Sequence, residues 1–427
     1  MSLTVNPFIY SRPVTPAEFL GRERELRRLF SRLATGQSTA VIGQPHIGKT
    51  SLLKYVADEP TRIARFGDRF ERHMFSFLDA HTLHGIKTQA VFWERALAPL
   101  SDCLRTGPLE SLAAIYQTAE ENEFGTFVLE RLFTEMHAAN CCLVLLLDEC
   151  DDFLAHPVLN SAEFYGGLRS LASRTGGLVL IIAARRELEQ LNQLTQAVNP
   201  HGSPYFNVFT EISLGPFSKK DFAELMNRGG ECFDRNDRDY LERVSGRHPF
   251  LAQAAAAILW EAHEEGHEGT VRYQTVGRGL YRETKKHFAD TWHVWTNETR
   301  KAITVLALAQ IPQLLAGHSF LMSEWVDELD DYRSELAALE AIGLCAEGDK
   351  GGMIITQGAF LWWLADELRR NVRDDAEFKA WLQAQEMDGL FTNQERQRFG
   401  KATSGMLKAL GKGATTLIEA FAKGIGE

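Results

Sequence analysis

The chain lacks cysteines paired at metal-ligand spacing. Its six cysteines stand at 103, 141, 142, 150, 232 and 345, and none forms a C-x2-C pair. Cys141 and Cys142 directly precede an apolar run and read as buried thiols, which suits a reducing cytoplasm. No apolar run approaches the length that crosses a bilayer. The opening Met1-Ser2-Leu3-Thr4-Val5-Asn6 has no basic region followed by an apolar core, so no secretory signal is expected. Positive charge is in deficit, with 46 Lys and Arg against 57 Asp and Glu and a net charge of −11. That balance argues against nucleic acid as the default partner, while leaving room for a local basic face. No internal repeat of solenoid or propeller period is present. A length of 427 residues, 44% apolar and 24% charged, suits a soluble globular chain of two or three domains.

One octapeptide carries the most chemistry. Gly43-Gln44-Pro45-His46-Ile47-Gly48-Lys49-Thr50 has two glycines bracketing four residues, then Lys and Thr, the pattern of a phosphate-binding loop. The context agrees. Ala40-Val41-Ile42 before it reads as a buried strand, and Ser51-Leu52-Leu53-Lys54-Tyr55-Val56-Ala57 after it as a helix start. Strand, loop and helix aim free backbone N–H groups and a helix dipole at a phosphate. Gly43 and Gly48 permit backbone conformations that a side chain forbids. Gln44, Pro45, His46, Ile47 and Ser51 complete the expected cradle. Lys49 is expected to reach the β- and γ-phosphates and Thr50 to ligate Mg²⁺. His46 stands where many such loops carry a third glycine.

Leu143-Val144-Leu145-Leu146-Leu147-Asp148-Glu149 is an apolar run ending in two carboxylates. It reads as a fully buried parallel strand whose carboxyl end meets the ligand. Asp148 is the candidate Mg²⁺ partner and Glu149 the residue that orients or deprotonates water. Asp151 and Asp152, which follow, read as a solvated turn or a helix cap. A third strand, Leu178-Val179-Leu180-Ile181-Ile182, leads to Ala183-Ala184-Arg185-Arg186. Arg185 is a candidate for stabilising γ-phosphate charge, and Arg186 reads as a surface arginine.

These residues resemble a bacterial STAND-type NTPase, the signal-transduction branch of the AAA+-like P-loop ATPases. Four further stretches carry the resemblance: Phe19-Leu20-Gly21-Arg22-Glu23, Leu214-Gly215-Pro216-Phe217-Ser218, Gly246-Arg247-His248-Pro249-Phe250-Leu251 and Ile182-Ala183-Ala184-Arg185. The resemblance implies that Gly21 and Arg22 lie near the adenine and that Pro249 packs near the base. It implies ATP and Mg²⁺ as cofactors and a slowly hydrolysing ATPase acting as a signalling switch. Homo-oligomerisation or an effector protein would be its output, in defence or regulated signalling. Relatives often carry a histidine motif in the winged helix, and no clear equivalent stands near Ile355-Thr356-Gln357. Large relatives also carry a long repeat sensor, which this chain does not. Two rivals remain. Origin-initiator and transposition-helper ATPases join the same modules and act on DNA, and a non-hydrolysing scaffold would hold nucleotide structurally.

The expected architecture is an α/β P-loop NTPase core with a mostly parallel sheet over residues 1–215, with strands near 38–43, 73–79, 143–148, 178–183 and 206–214. A helical lid is expected over 216–285, with Ser218 as a cap and Ala252 and Ala254–Ala257 in one tightly packed helix. A winged helix is expected over 286–372, with helices at 297–309 and 331–342 and a hairpin across the glycine-rich turn 348–352. Trp362 and Trp363 read as core. Residues 373–427 form the tail, helical and polar to about 400. In its last stretch Met406, Leu407, Leu410, Ala414, Leu417, Ile418 and Phe421 recur at helical spacing, among Lys401, Lys408, Lys412 and Lys423. That segment packs on its own domain, docks into a partner groove, or lies on a membrane surface.

Overall fold

Continuous apolar runs such as 143–147 and 178–182 cannot leave either face in water, so they demand a parallel sheet covered by helices on both sides. A computed structural model describes residues 5–106, 110–198, 204–314, 332–348, 352–371, 375–387, 411 and 413–423. The chain divides into two units, one of Pro13–Gln44 with Gly48–Leu214, the other of Met1–Arg12, Pro45–Ile47 and Gly215–Glu427.

The first unit is built on β1 (Thr39–Ile42), β2 (His73–Asp79), β3 (Cys142–Asp148), β4 (Leu178–Ala184) and β5 (Thr210–Ser213). They pair in parallel in the order β2-β3-β4-β1-β5. Every residue of β3 and β4 is buried. Helix α1 (Glu23–Leu33) precedes β1, and α2 (Lys49–Ala57) and α3 (Glu59–Phe66) lead to β2. The β2–β3 crossover holds α4 (Gln89–Ala96), α5 (Ala98–Thr106), α6 (Glu110–Glu121) and α7 (Thr126–Ala138). Helix α8 (Ala162–Arg174) returns the chain to β4 and α9 (Leu188–Thr195) towards β5. Register sets Asp79 beside Asp148 and Ile42 beside Ala184, so the polar ends of β1, β2, β3 and β4 share one rim.

Under the sheet, Phe164 meets Phe92 edge-on at 4.9 Å and Phe153 at 5.8 Å, the T-shaped geometry that ring quadrupoles favour. Gly177 lets the entry to β4 pass close to α7, because a Cβ there would lie 2.0 Å from the Phe133 carbonyl oxygen. The fifth strand is shorter than the sequence pattern predicts. Tyr205–Val208 form a single 3-10 turn instead. Its Tyr205 and Phe206 rings pack at 5.5 and 5.8 Å on Tyr165 of α8, so aromatic burial takes these residues out of the ladder.

The second unit is mostly helical. It holds α10 (Lys219–Met226), α11 (Arg235–Ser245), α12 (Pro249–Glu264), α13 (Gly269–Val294), α14 (Asn297–Leu314) and α15 (Arg333–Ala341). Then come the antiparallel pair β6 (Cys345–Glu347) and β7 (Met353–Ile355), followed by α16 (Gly358–Asn371), α17 (Asp375–Ala384) and α18 (Ala414–Lys423). Ser218 caps α10, its hydroxyl accepting the Asp221 N–H at 3.1 Å. On α12, Ala252 and Ala254–Ala257 are all buried, as small side chains permit close helix approach. The entry segment packs on the same helix. The Asn6 amide donates to the Ala257 carbonyl at 3.1 Å and the Ile9 N–H to Gln253 at 3.0 Å.

Trp362 and Trp363 are buried in α16. The apolar face of α18 is also taken up inside the unit, with Leu417, Ile418 and Phe421 buried. Gly277 on α13 and Gly358 on α16 clear space for it, since a Cβ at either would lie 2.6 Å from Ile418 or Phe421. The part of the tail over 388–410, with Lys412 and 424–427, lies outside the described residues. Among the described residues no helix is long and apolar enough to cross a membrane.

Candidate functional site

The phosphate-loop sequence joins β1 to α2. The Gly43 N–H donates to the Ala184 carbonyl at 3.2 Å, tying the loop's start to the tip of β4. Gly48 caps α2 at φ 102°, a conformation that favours glycine. The first N–H groups of α2 are free of helix partners and carry the positive end of its dipole. Lys49 is buried, and its Nζ donates to the carbonyls of Gly43 at 2.9 Å and Gln44 at 3.0 Å. Burial lowers its pKa, while Glu149, Asp151 and Asp148 pull it back up. The Thr50 side chain lies by the Asp148 carboxylate and helps to lower its pKa. The Ser51 hydroxyl accepts the Val14 N–H at 3.2 Å, a contact that ties the segment before α1 to the start of α2.

Pro45, His46 and Ile47 belong to the second unit. There His46, at φ 62°, stacks on Phe250 at 4.9 Å and meets His287 at 5.2 Å.

Asp148 is 2% exposed and accepts the N–H of Glu149 at 3.1 Å. Burial raises its pKa and neighbouring Asp79 adds to that, against the Thr50 and Glu149 hydrogen bonds and the Lys49 charge. Glu149 has φ 52°, an uncommon left-handed conformation for a residue with a side chain, and such strain clusters at functional sites. Burial raises its pKa too, opposed by Lys49 and Arg185. Arg185 lies just beyond β4, its Nε 3.5 Å from Glu149 Oε2 and its Nη2 3.2 Å from Asp152 Oδ1.

Asp151 corrects the sequence reading. It is buried and accepts the backbone N–H of Arg185 at 2.6 Å and of Arg186 at 3.2 Å, with Arg186 Nη1 at 3.2 Å. A carboxylate read as a solvated turn instead joins the tips of β3 and β4, and Arg186 is its counter-ion. Asp152 is likewise engaged, by Arg185 and by His81 Nε2 at 3.2 Å. The sequence signal was the density of acid itself, four carboxylates within 148–152.

Gly21 (φ 72°) and Arg22 (φ 65°) lie in the first unit, and Arg22 is the buried N-cap of α1. Pro249 is the buried first residue of α12 in the second unit, as a proline free of the helix's hydrogen-bond demand should be. The first unit therefore brings Lys49, Thr50, Asp148, Glu149 and Arg185 together.

A strand–loop–helix cradle facing an acidic strand tip on a β2-β3-β4-β1-β5 sheet is a P-loop NTPase core. The family model described as "Novel STAND NTPase 2" matches residues 95–310. The chain belongs to this STAND NTPase family. The match takes in Asp148, Glu149, Arg185 and Pro249 and begins after the phosphate loop. No curated protein matches the STAND chain. Among solved structures it is similar to the Walker-type ATPase PABY2304 of Pyrococcus abyssi, at 15% identity and TM-score 0.48, over 83% of this chain and 98% of that one. It is also similar to the ORC2 protein of Aeropyrum pernix in its ADPNP–ADP complexes, at 14% identity and TM-score 0.45, over 83% and 95%. The Cdc6p of Pyrobaculum aerophilum follows at 13% identity and TM-score 0.40, over 84% and 98%. At TM-scores below 0.5 none of these likenesses bears on function.

Proposed function

We propose that this STAND NTPase is a nucleotide-controlled switch that binds ATP with Mg²⁺ and hydrolyses it slowly. The observation that carries the reading is the buried Lys49 amine turned onto its own loop carbonyls, beside an Asp148 carboxylate whose pKa the Thr50 side chain helps to hold down. A hydroxyl and a carboxylate held together are hard oxygen donors, the set that suits Mg²⁺. Among the described residues no group of three or more His, Cys, Asp or Glu could hold a metal ion by itself, and Mg²⁺ commonly takes phosphate oxygens and water for its other ligands.

The loop from Gly43 to Ser51 cradles phosphates with backbone N–H groups, and Lys49 adds a point charge on the β- and γ-phosphates. Thr50 and Asp148 would hold the metal, which would supply neutralisation of phosphate charge. Glu149 orients and deprotonates water. Its pKa, raised by burial, brings it nearer the pH at which a base can take a proton. Arg185 offers its guanidinium to charge at the γ-phosphate. By resemblance to the family, Gly21 and Arg22 contact the nucleoside.

The domain reading follows the same lines: core over 1–215, lid over 216–285, winged helix over 286–372 and tail over 373–427. The order of α14, α15, hairpin and α16 supports the winged helix. Nucleotide shifts the two forms only by its different contacts with each, and the output is oligomerisation or capture of an effector. A net charge of −11 leaves the DNA-acting alternative second. The direct test is phosphate release with light scattering under ATP, ADP and no nucleotide. Slow release together with a mass that depends on ATP supports the switch, and equal mass in all three states with no phosphate release overturns it.

A further inference from the structure

The tip of β2 and the turn after β3 carry a line of polar side chains of which the switch reading uses only Arg185 and Glu149. Asp79 ends β2; its Oδ1 accepts the His81 N–H at 2.9 Å and faces the ring Nδ1 at 3.1 Å. The other ring nitrogen lies 3.2 Å from Asp152 Oδ2. The second oxygen of Asp152 is 3.2 Å from Arg185 Nη2, and Arg185 Nε is 3.5 Å from Glu149. The line thus runs Asp79, His81, Asp152, Arg185, Glu149, all within one unit. Both ring nitrogens of His81 thus face a carboxylate oxygen, which fixes the ring between Asp79 and Asp152. The turn bearing His81 is itself anchored, because Arg95 donates to the Thr82 carbonyl at 2.9 Å. The Arg185 backbone is fixed by Asp151. What remains free to exchange partners is its guanidinium, 36% exposed. Ion pairs this exposed are weak, so they can be traded for a phosphate.

We infer that Asp152, positioned by His81, is a holding site for Arg185 that competes with the γ-phosphate. The inference rests on Arg185 being the γ-phosphate contact proposed above. While the guanidinium sits on Asp152 and Glu149, neither it nor Glu149 is released to the nucleotide. The hold weakens apparent triphosphate affinity by the fraction of time the arginine is engaged. Diphosphate binding, which does not need Arg185, is untouched. Asp152 and His81 are then positioning residues that set the ATP-to-ADP preference of the switch.

The test uses the full chain with Mg²⁺, titrated by calorimetry with a non-hydrolysable ATP analogue and separately with ADP. Asp152→Asn should tighten the analogue on the order of fivefold, the worth of one exposed pair, and leave ADP unchanged. His81→Ala should shift the analogue in the same direction by less. It should add nothing in the Asp152→Asn background, the non-additivity expected of residues acting through one contact. Arg185→Ala should weaken the analogue selectively. If it does and Asp152→Asn gives no selective gain, the holding site is wrong and the γ-phosphate role stands. If Arg185→Ala leaves the analogue-to-ADP ratio unchanged, both readings fail together.

Discussion

Asp151 accepts the backbone N–H of Arg185 at 2.6 Å, although the two residues lie 34 apart in the chain. The same carboxylate takes the Arg186 N–H and guanidinium. The end of β3 and the end of β4 are therefore pinned by one buried side chain, just where Glu149 and Arg185 must be positioned. Removing it leaves two N–H groups and a guanidinium without their acceptor. Asp151→Ala should cost on the order of 2–4 kcal/mol of unfolding free energy, read by urea denaturation. A loss below about 1 kcal/mol would mean that water replaces the carboxylate freely.

Phe421 of α18 meets Trp362 edge-on at 5.4 Å, over the gap left by Gly358. The helix is therefore part of the second unit's core. Phe421→Ala should destabilise the chain by about 3 kcal/mol, as ring deletions in cores do. Gly358→Ala should destabilise it too, because the added methyl meets the ring at 2.6 Å and the Arg243 carbonyl oxygen at 3.0 Å. Melting temperatures unchanged in both variants would show that α18 is not held there.

His287 supplies a pH signature. Burial first, and then the charge of His46, hold its imidazole down at about 4. The unfolded side chain titrates near 6.5. Between these values the unfolded state binds a proton that the folded state refuses. This contribution to stability is complete above about pH 6.5 and is lost as pH falls towards 4, by up to about 3 kcal/mol. His287→Phe should flatten the stability curve between pH 4 and 6.5 relative to the parent, with little change at pH 8. Parallel curves for parent and variant would refute the assignment.

The sheet and the phosphate loop were legible because each rests on local pattern. Continuous apolar runs fixed β3 and β4, and glycine at 43 and 48 fixed the turn. The helix start at Ser218 was legible for the same reason, since capping is a nearest-neighbour effect. The roles of Asp151, Asp152 and His81 were not. Each is set by partners brought in by strand register, Asp79 against Asp148 and β3 against β4, which no local pattern reports. The start of β5 was misread because Tyr205 and Phe206 have strand composition but find their burial against Tyr165. The apolar face of α18 was left open between partner, membrane and self. The residues that receive it within the same unit, the glycines at 277 and 358 and Trp362, are remote in sequence.

Lys49 and the Thr50–Asp148 pair are the groups proposed to grip one triphosphate. The direct measurement is calorimetric titration of ATP with Mg²⁺ into the full chain and into Lys49→Ala, with Glu149→Gln as a folded comparison. Binding to the parent and to Glu149→Gln, which should also cease to release phosphate, with none detectable for Lys49→Ala, is the predicted result. ATP binding to Lys49→Ala with the parent's affinity would contradict it.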